Sequence, residues 1–384
     1  MKILHMMLSC FYIEDYNYQE NALPRQNALD GHEVRIIAST ETFVDNQNLG
    51  YVPPCTYINR DGIEVHRIPY SKLLPHFVMK KIRSYPGVYG MIEDFAPDVI
   101  LFHGLPALEL LTVAKYQRAN PDVHLFIDSH EDLNNSATNV ISKWLLHKLF
   151  YKAIIAIAMS DIRKVLYISA ETKDFLTKIY GVPEEKLEFY PLGGTVVDLE
   201  EWRRKRDSTR SRLGLGDESI LFVHCGKMDA LKRTEEIVRA FAAVKDDRLK
   251  LVLLGSMTPD VDMRLAPLIK NDPRVSALGW KHSSELTNYL CACDLYLQPG
   301  TQSSTMQNAI CAFAPVMLYP HKSHFPYLRG NGYFVQTLED MERCFNEVCA
   351  NPAQLKAMSR NSERIARELL DYRKLAARLY EVIG

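Results

Sequence analysis

The most constraining feature of this sequence is an alternation of short apolar runs with segments of helical periodicity. Ile3–Leu8, Val34–Ala38 and Val99–His103 are such runs, and polar or turn-forming residues bound each of them. Short apolar runs bounded by turns are typical of fully buried strands, and their alternation with helices is typical of a parallel sheet covered on both faces. The sequence therefore predicts an α/β fold.

The alternation is interrupted once, over Val197–Asp217, where basic residues replace the strand pattern. It resumes at Ile220–Cys225, and a chain of 384 residues is long for a single hydrophobic core. We therefore predict a first α/β unit over residues 1–196 and a second over 197–364. Apolar spacing predicts that residues 365–384 form one amphipathic C-terminal helix.

The composition excludes several classes of protein. Lys plus Arg number 46 and Asp plus Glu number 47, so no overall positive charge draws the chain to nucleic acid. The spacing of the 8 cysteines matches no standard zinc or redox motif, which predicts reduced thiols in a cytoplasmic protein without a metal or other cofactor. No stretch approaches the ~20 apolar residues of a membrane span. The short run after Met1 is better explained as a first strand than as a signal peptide.

Ligands of open α/β sheets bind beyond the carboxyl ends of the strands, and three strand ends carry candidate residues. The first is the turn after Ile220–Cys225, where Gly226 is followed by Lys227 and Lys232 just before a helix. Two ammonium groups in one loop suit a diphosphate. A pair of solvated surface lysines is the alternative.

The second strand end runs from Gly300 into a helix that begins at about Ser304. Hydroxyl side chains at a helix start cap free backbone N–H groups, and the same N–H groups attract a phosphate. Capping alone explains this pattern as well as phosphate binding does.

The third strand end is Asp128-Ser129-His130-Glu131-Asp132. A histidine among carboxylates can serve as an acid, a base or a hydrogen-bonding group. Single histidines are often structural, so both interpretations of His130 stay open.

The order of these segments resembles the GT-B glycosyltransferases of family 4 over essentially the full chain. The resemblance implies two Rossmann-like domains facing a central cleft, with a C-terminal helix that crosses back to the N-terminal domain. It further implies that residues 1–196 bind the acceptor and residues 197–364 bind a nucleoside diphosphate-sugar. The matching motifs are Gly31-His32-Glu33-Val34, His130, Tyr190-Pro191-Leu192-Gly193-Gly194, Gly226-Lys227 with Lys232, Leu278-Gly279-Trp280, Cys293-Asp294-Leu295, Pro299-Gly300 and Pro315-Val316.

The resemblance also implies roles for single residues. The family transfers a sugar with retention of anomeric configuration and needs no metal. His130 takes the position that contacts the donor sugar, and Lys227 and Lys232 take that of the catalytic basic pair that holds the diphosphate. The family usually has Arg and Lys there, so this chain lacks the planar fork of arginine. The further donor-binding residues implied are Gly226, Gly300, Gln302, Ser303, Ser304, Thr305 and Asn308, and those on the acceptor side are Gln19, Glu20 and Asn21.

The chain departs from the family at a pair of glutamates in the second domain. Gly300 and Asn308 occupy their two positions, and Phe313 replaces a family glycine. Asn308 can still hydrogen-bond a ribose hydroxyl, although more weakly than a carboxylate. The segment Pro299–Ser303 resembles a variant branch among bacterial surface-polysaccharide transferases, in which Gln302 and the serines after it take over the donor contacts.

Two segments combine apolar and basic side chains, as helices on an anionic membrane surface do. They are Ser71–Tyr89, which includes Leu73 and Phe77, and Ile141–Lys152, which includes Trp144. Ordinary core-facing helices are the alternative. We expect a cytoplasmic protein in weak peripheral contact with the inner face of the membrane, which is consistent with a saccharide or lipid-linked acceptor.

The predicted function is transfer of a sugar from a nucleoside diphosphate-sugar to such an acceptor in bacterial surface polysaccharide synthesis. The missing glutamates leave open a catalytically silent subunit that supports a partner transferase. A nucleotide-sugar epimerase of related architecture is the remaining alternative, although His130, Glu131 and Asp132 are its only concentrated acid–base candidates.

Overall fold

The structure, a computed structural model, describes residues 1–14, 16, 18–44, 48–132 and 142–381, with the side chains of 142–145 outside this description. These residues form two compact units. The first comprises Met1–Pro191 and Tyr372–Gly384, and the second comprises Leu192–Asp371. Each unit contains its own mainly parallel sheet, which confirms the predicted α/β fold with two Rossmann-like domains.

The first unit is built on a sheet of eight strands in the order β10-β9-β8-β7-β1-β2-β6-β5. All neighbours are parallel except β5 and β6, while β3 and β4 form a separate antiparallel pair. In chain order, the strands are β1 (Lys2–Met7), β2 (Glu33–Ser39), β3 (Glu41–Phe43), β4 (Leu49–Tyr51), β5 (Cys55–Ile58), β6 (Glu64–Ile68), β7 (Val99–His103), β8 (His124–Ser129), β9 (Lys164–Tyr167) and β10 (Leu187–Phe189).

Helices cover both faces of this sheet because its central strands are apolar on both sides. Ile3 and Leu4 are adjacent in β1, so they point to opposite faces, and both are fully buried in different core clusters. The α-helices are α1 (Gln19–Leu29), α2 (His76–Ile82), α3 (Val88–Phe95), α4 (Leu110–Ala119), α5 (Lys152–Ala158) and α6 (Ala170–Phe175), with π-helical segments at Ser142–Tyr151 and Leu176–Tyr180 and a 3₁₀ turn at Glu184–Lys186.

The second unit has a fully parallel six-stranded sheet in the order β13-β12-β11-β14-β15-β16. Its strands are β11 (Ile220–Cys225), β12 (Leu249–Leu254), β13 (Val275–Ala277), β14 (Leu295–Gln298), β15 (Val316–Leu318) and β16 (Gly332–Phe334). Its helices are α7 (Leu199–Arg212), α8 (Thr234–Ala243), α9 (Pro259–Asn271), α10 (Ser283–Ala292), α11 (Ser304–Cys311), α12 (Leu338–Ala350) and α13 (Gln354–Ile365), with 3₁₀ turns at Ala230–Lys232 and Lys322–Tyr327 and a π-helical turn at Ala366–Leu370.

Both sheets reverse their strand order at one internal point. In the first unit the reversal lies between β1 and β7, and in the second it lies between β11 and β14. Loops that leave such a point diverge to opposite faces, and the crevice between them is where open α/β sheets bind ligands. The candidate residues after β11 and β14 therefore flank the reversal point of the second unit.

The C-terminal segment differs from the single helix predicted over residues 365–384. Asp371 adopts an extended conformation and forms a parallel bridge with Gly194, so the helix is interrupted there. A last helix, α14 (Tyr372–Ala377), follows and packs within the first unit. The hydroxyl of Tyr190 donates a 2.6 Å hydrogen bond to the carbonyl of Leu375, which helps to anchor this helix.

Candidate functional site

In the first unit, His130 lies directly after β8 and meets the start of α1. Its Nε2 is 3.2 Å from Oε1 of Gln19. The amide nitrogen of Gln19 donates in turn to the carbonyl of Pro191 at 3.1 Å, which fixes the orientation of this buried side chain. The strand order brings together residues that are more than a hundred positions apart in the sequence, because β1 and β8 are separated in the sheet only by β7.

Acidic side chains surround His130. Oε1 of Glu20 lies 3.9 Å from its Nδ1, and Oδ2 of Asp128 lies 3.9 Å from its Nε2. Burial by itself would lower the pKa of His130, but the carboxylates of Glu20, Asp128 and Glu131 outweigh it, so the pKa is raised. The site thus favours a positively charged imidazole, which suits contact with an electron-rich or anionic ligand group.

Asp128 is held by a buried polar chain that the sequence did not reveal. Its Oδ1 accepts from the backbone N–H of Gly104 at 3.0 Å, and its Oδ2 lies 2.5 Å from Nδ1 of His103. The other ring nitrogen of His103 is 3.1 Å from His5, which also pairs with Oδ1 of Asn27 at 2.9 Å. Burial lowers the pKa of His5 to about 3, so this ring is neutral. The chain orients the carboxylate that faces His130.

Asn21, the third residue predicted on the acceptor side, points elsewhere. Its amide nitrogen donates to the carbonyl of Ile13 at 2.8 Å and so fixes the loop before α1. Arg83 is a neighbour of the site that sequence reasoning missed. One guanidinium nitrogen, Nη1, donates to the Ser9 hydroxyl at 2.7 Å and to the carbonyl of Pro106 at 3.1 Å. Its backbone has φ of 53°, an unusual value for a residue with a side chain.

In the second unit, the two candidate lysines have different surroundings. Lys232 is half-buried, and its ammonium donates to the carbonyls of Thr301 at 3.1 Å and Gln302 at 3.0 Å. Burial lowers its pKa, and nearby Asp229 offsets part of that effect. The Lys227 side chain is exposed, and its ammonium pairs with no residue in the described part of the chain. One amine is thus fixed in place and the other is free to reach a ligand.

Gly300 sits against the loop that carries Lys232. A Cβ atom added at Gly300 would lie 2.3 Å from the carbonyl oxygen of Leu231 and 2.8 Å from Cα of Lys232. The backbone of the Leu231–Lys232 loop therefore fills the space that a side chain at position 300 would need. This packing gives a physical reason why the family's glutamate is absent from this chain.

The start of α11 has the predicted capping geometry. The hydroxyl of Ser303 accepts from the backbone N–H of Thr305 at 3.3 Å and donates to its side-chain oxygen at 3.1 Å. Gln302 and Ser304 are exposed beside this cap. The hydroxyl cap occupies one N–H group of the helix start, so any phosphate there would use the others.

Further along α11, Asn308 and Gln307 lie near the two glycines after β10. A Cβ atom at Gly194 would lie 2.7 Å from Sγ of Cys311 and 3.2 Å from Oδ1 of Asn308, so only a glycine fits there without a shift. Buried Gln307 accepts a 2.9 Å hydrogen bond from the N–H of Gly193. Sequence reasoning missed Gln307 because it sits inside an amphipathic helix without a distinctive motif.

His224 on β11 lies beneath the Gly226–Arg233 loop that carries the two candidate lysines. It is fully buried, with Nδ1 2.7 Å from the carbonyl of Leu297 and Nε2 3.0 Å from the Thr234 hydroxyl. Burial lowers its pKa to about 4, so it is neutral. His224 therefore ties β11 to β14 and to the start of α8.

The described residues contain no group of three or more His, Cys, Asp or Glu side chains that could hold a metal ion. Within the same residues, none of the helices combines the length and the apolar character required to cross a membrane.

Residues 21–193 match the profile of the glycosyl transferase 4-like domain, and no curated protein matches the sequence. The Anabaena protein HepE in complex with UDP is 14% identical, with a TM-score of 0.68 over 100% of this chain and 99% of its own. A glycosyltransferase from Rickettsia africae is 11% identical, with a TM-score of 0.70 over 100% and 97%. WaaG, a glycosyltransferase involved in lipopolysaccharide biosynthesis, is 13% identical, with a TM-score of 0.60 over 98% and 99%.

Proposed function

Because the chain is a GT-B glycosyltransferase with a glycosyl transferase 4-like domain over residues 21–193, we propose that it uses a nucleoside diphosphate-sugar as donor. The acceptor is a saccharide or a lipid-linked saccharide, and the reaction belongs to bacterial surface polysaccharide synthesis in the cytoplasm. The sugar is transferred with retention of configuration and without a metal. The donor lies on the second unit and the acceptor on the first.

The observation that carries the proposal is the pair of amines at the reversal point of the second sheet. Lys232 is fixed by two carbonyls and still has one of its three ammonium protons available, while Lys227 is unpaired among the described residues. Two positive charges there can neutralise the diphosphate as the bond to the sugar breaks, which is the role a metal ion fills in other transferases. Among structures similar to this chain, HepE is in complex with UDP-glucose and starch synthase IV is bound to ADP, which supports a nucleotide-sugar donor.

In the proposed reaction, the bond between the anomeric carbon and the diphosphate oxygen breaks, and the acceptor oxygen bonds to the same face of that carbon. The departing diphosphate takes the acceptor proton. Lys227 and Lys232 stabilise the negative charge on the leaving group, and His130, whose pKa is raised by the neighbouring carboxylates, contacts the sugar. The Ser303 cap and the exposed side chains of Gln302 and Ser304 line the donor site.

Calorimetric titration with UDP, GDP and ADP tests the donor site. Lys227→Ala and Lys232→Ala each remove a charge-assisted contact worth about 1.5–3 kcal/mol, so each should weaken binding by roughly 10- to 150-fold. Lys245→Ala is the matched control, because Lys245 is an exposed lysine of the same unit that precedes β12 at the opposite edge of the sheet. Equal affinity of all three variants and the wild type would contradict the site.

Product analysis tests the chemistry. With donor and acceptor present, NMR of the product should show the anomeric configuration of the donor, and EDTA should leave the rate unchanged. Release of an epimerised nucleotide-sugar without acceptor would favour an epimerase. Tight nucleotide binding without transfer from any donor, together with co-purification of a second transferase, would favour a silent subunit.

We further propose that an exposed patch on the first unit contacts anionic membrane. Leu73 is 85% exposed and Phe77 is 67% exposed, although apolar side chains of this size are usually buried. Lys72 and Lys81 flank them and are exposed. Exposed apolar side chains flanked by lysines can insert into the interface of an anionic bilayer while the lysines contact its headgroups. In the second predicted segment, Ile141 and the side chains of Lys143, Trp144 and Leu145 lie outside the described residues.

Flotation with liposomes tests this contact. The wild type should float with vesicles containing anionic lipid and less so with neutral vesicles, and Leu73→Ser with Phe77→Ser should abolish flotation. Leu29→Ser is a control, because Leu29 is 73% exposed at the end of α1 without a basic surround of this kind. Recovery of the wild type wholly in the soluble fraction would refute the membrane contact.

A further inference from the structure

Arg233 holds an unusual backbone conformation beside the candidate donor site. It joins the Ala230–Lys232 turn to α8 with φ of 58° and ψ of 29°, in the left-handed region. Side chains disfavour this region and glycine adopts it freely. A residue kept in such a conformation next to a binding site indicates that its side chain has a role that glycine could not supply.

The guanidinium of Arg233 connects four segments of the second unit. Its Nη1 donates to the carbonyl of Pro299 after β14 at 3.2 Å and to that of Gln336 after β16 at 2.9 Å. Nε forms an ion pair with Glu236 on α8, and the group lies 6.0 Å from the ring centre of Tyr319 after β15. One planar cation therefore joins the ends of three strands to the helix that follows β11.

These contacts determine where Lys232 lies. The loop before Arg233 touches Gly300 so closely that no Cβ atom fits, and the Lys232 ammonium bonds to the next two carbonyls, those of Thr301 and Gln302. Besides this clamp, the backbone N–H of Thr301 donates to the carbonyl of Leu231 at 3.2 Å. Release of the clamp to Pro299 would leave the loop to that single backbone bond and to the bonds of Lys232 itself. The ammonium would then lose its fixed direction.

We propose that Arg233 is a positioning residue, which clamps the Gly226–Arg233 loop to the end of β14 so that Lys232 directs its remaining proton at a diphosphate. The identity of that ligand rests on the proposed function, but the clamp itself does not. Lysine cannot replace Arg233 fully, because Nη1 bonds the two carbonyls while Nε pairs with Glu236, and a single ammonium cannot occupy both positions.

Acylation of lysines in the protein without ligand tests the clamp independently of nucleotide. The protein is treated briefly with an N-hydroxysuccinimide acetate ester, and modification of Lys227 and Lys232 is followed by mass spectrometry. In the wild type Lys232 should react much more slowly than exposed Lys227. Arg233→Gly should raise the Lys232 rate at least threefold and leave Lys227 unchanged, with a smaller rise for Arg233→Lys. Arg239→Ala, which removes an arginine of the same helix that pairs with Glu235, should change neither rate.

Calorimetric binding of UDP gives the second readout. Arg233→Gly should weaken UDP binding at least fivefold in the wild-type background and cause no further loss in Lys232→Ala, because Arg233 acts through Lys232. An unchanged Lys232 acylation rate, or losses that multiply in the double variant, would overturn the proposal. If Arg233→Gly fails to fold, the acylation rate of Lys232 in Arg233→Lys tests the proposal in its place, and an unchanged rate would overturn it. If the wild type binds no nucleoside diphosphate, the proposed function is refuted, whereas the acylation rates still decide whether Arg233 positions Lys232.

Discussion

Replacement of Gly300 by alanine tests the packing on which the donor site depends. The added Cβ would lie 2.3 Å from the Leu231 oxygen and 2.8 Å from Cα of Lys232, whereas ordinary contacts begin at 3.4 Å. These neighbours are backbone atoms and cannot rotate away, so the loop must retreat by about 1 Å, at a cost of ~1–3 kcal/mol for overpacking. That movement would lengthen both hydrogen bonds of the Lys232 ammonium beyond their present 3.1 and 3.0 Å.

Two measurements follow from this reasoning. The melting temperature should fall by roughly 2–4 °C per kcal/mol for a unit of this size, and UDP binding by calorimetry should weaken about tenfold if one charge-assisted hydrogen bond is lost. Gly216→Ala is the matched control, since no atom lies within 4 Å of its added Cβ and its φ is not in the left-handed region. A Gly300→Ala protein with wild-type melting and wild-type affinity would refute the close approach.

Three further predictions concern two sites in the first unit and Phe313, which follows the C-terminal end of α11. Asp128→Asn should lower the raised pKa of His130. The stability that the charged His130 contributes is complete below pH ~6.5 and is lost as the pH rises through the folded-state pKa, so an unchanged NMR titration of His130 and an unchanged pH dependence of urea unfolding would contradict the role of Asp128. Phe313 is buried and has φ of 62°, so Phe313→Ala should lower the free energy of unfolding by about 3–5 kcal/mol. Phe313→Gly should be more stable than Phe313→Ala by about 1 kcal/mol, the reverse of the usual order in a helix, and equal urea midpoints of the two variants would show that the backbone strain is absent. Tyr190→Phe should cost about 1 kcal/mol in urea unfolding through loss of the bond to Leu375, and an unchanged urea midpoint would contradict that bond.

The sequence predicts the central strands well because they are buried on both faces. β7 and β11 coincide with the apolar runs Val99–His103 and Ile220–Cys225. Strands β3, β4, β5 and β16 are missed because they are short and lie at or beyond sheet edges, where the apolar pattern fades; β5, for example, is largely exposed. Strand β6 is missed although it lies inside the sheet, because Glu64, His66 and Arg67 interrupt its apolar pattern. The basic segment after Val197 forms helix α7, whose Arg206 and Arg210 pair with Asp294, a partner that no local pattern indicates.

The sequence likewise predicts some of the candidate site residues and misses others. The sequence places Lys232 and Gly300 at strand ends, and parallel topology brings those ends to one edge. It cannot give the close approach of their loops, in which a Cβ atom at Gly300 would lie 2.3 Å from the Leu231 oxygen, because that approach depends on how β11 and β14 pair. His5 is missed for the opposite reason, since an apolar run hides a buried histidine whose partners, His103 and Asn27, come from β7 and α1.

Close packing of two loops bears on how this chain differs from the glycosyltransferases that it resembles. A side chain at position 300 meets the backbone of the Leu231–Lys232 loop, so a glutamate can be restored there only by displacing that loop. Asn308 is different, because it is exposed on α11. Asn308→Glu should therefore cost little stability, whereas Gly300→Glu should be destabilised at least as much as Gly300→Ala. If Asn308→Glu strengthens UDP binding, the nucleotide lies where the family places it, and if it weakens binding by charge repulsion, the diphosphate rather than the ribose lies beside α11.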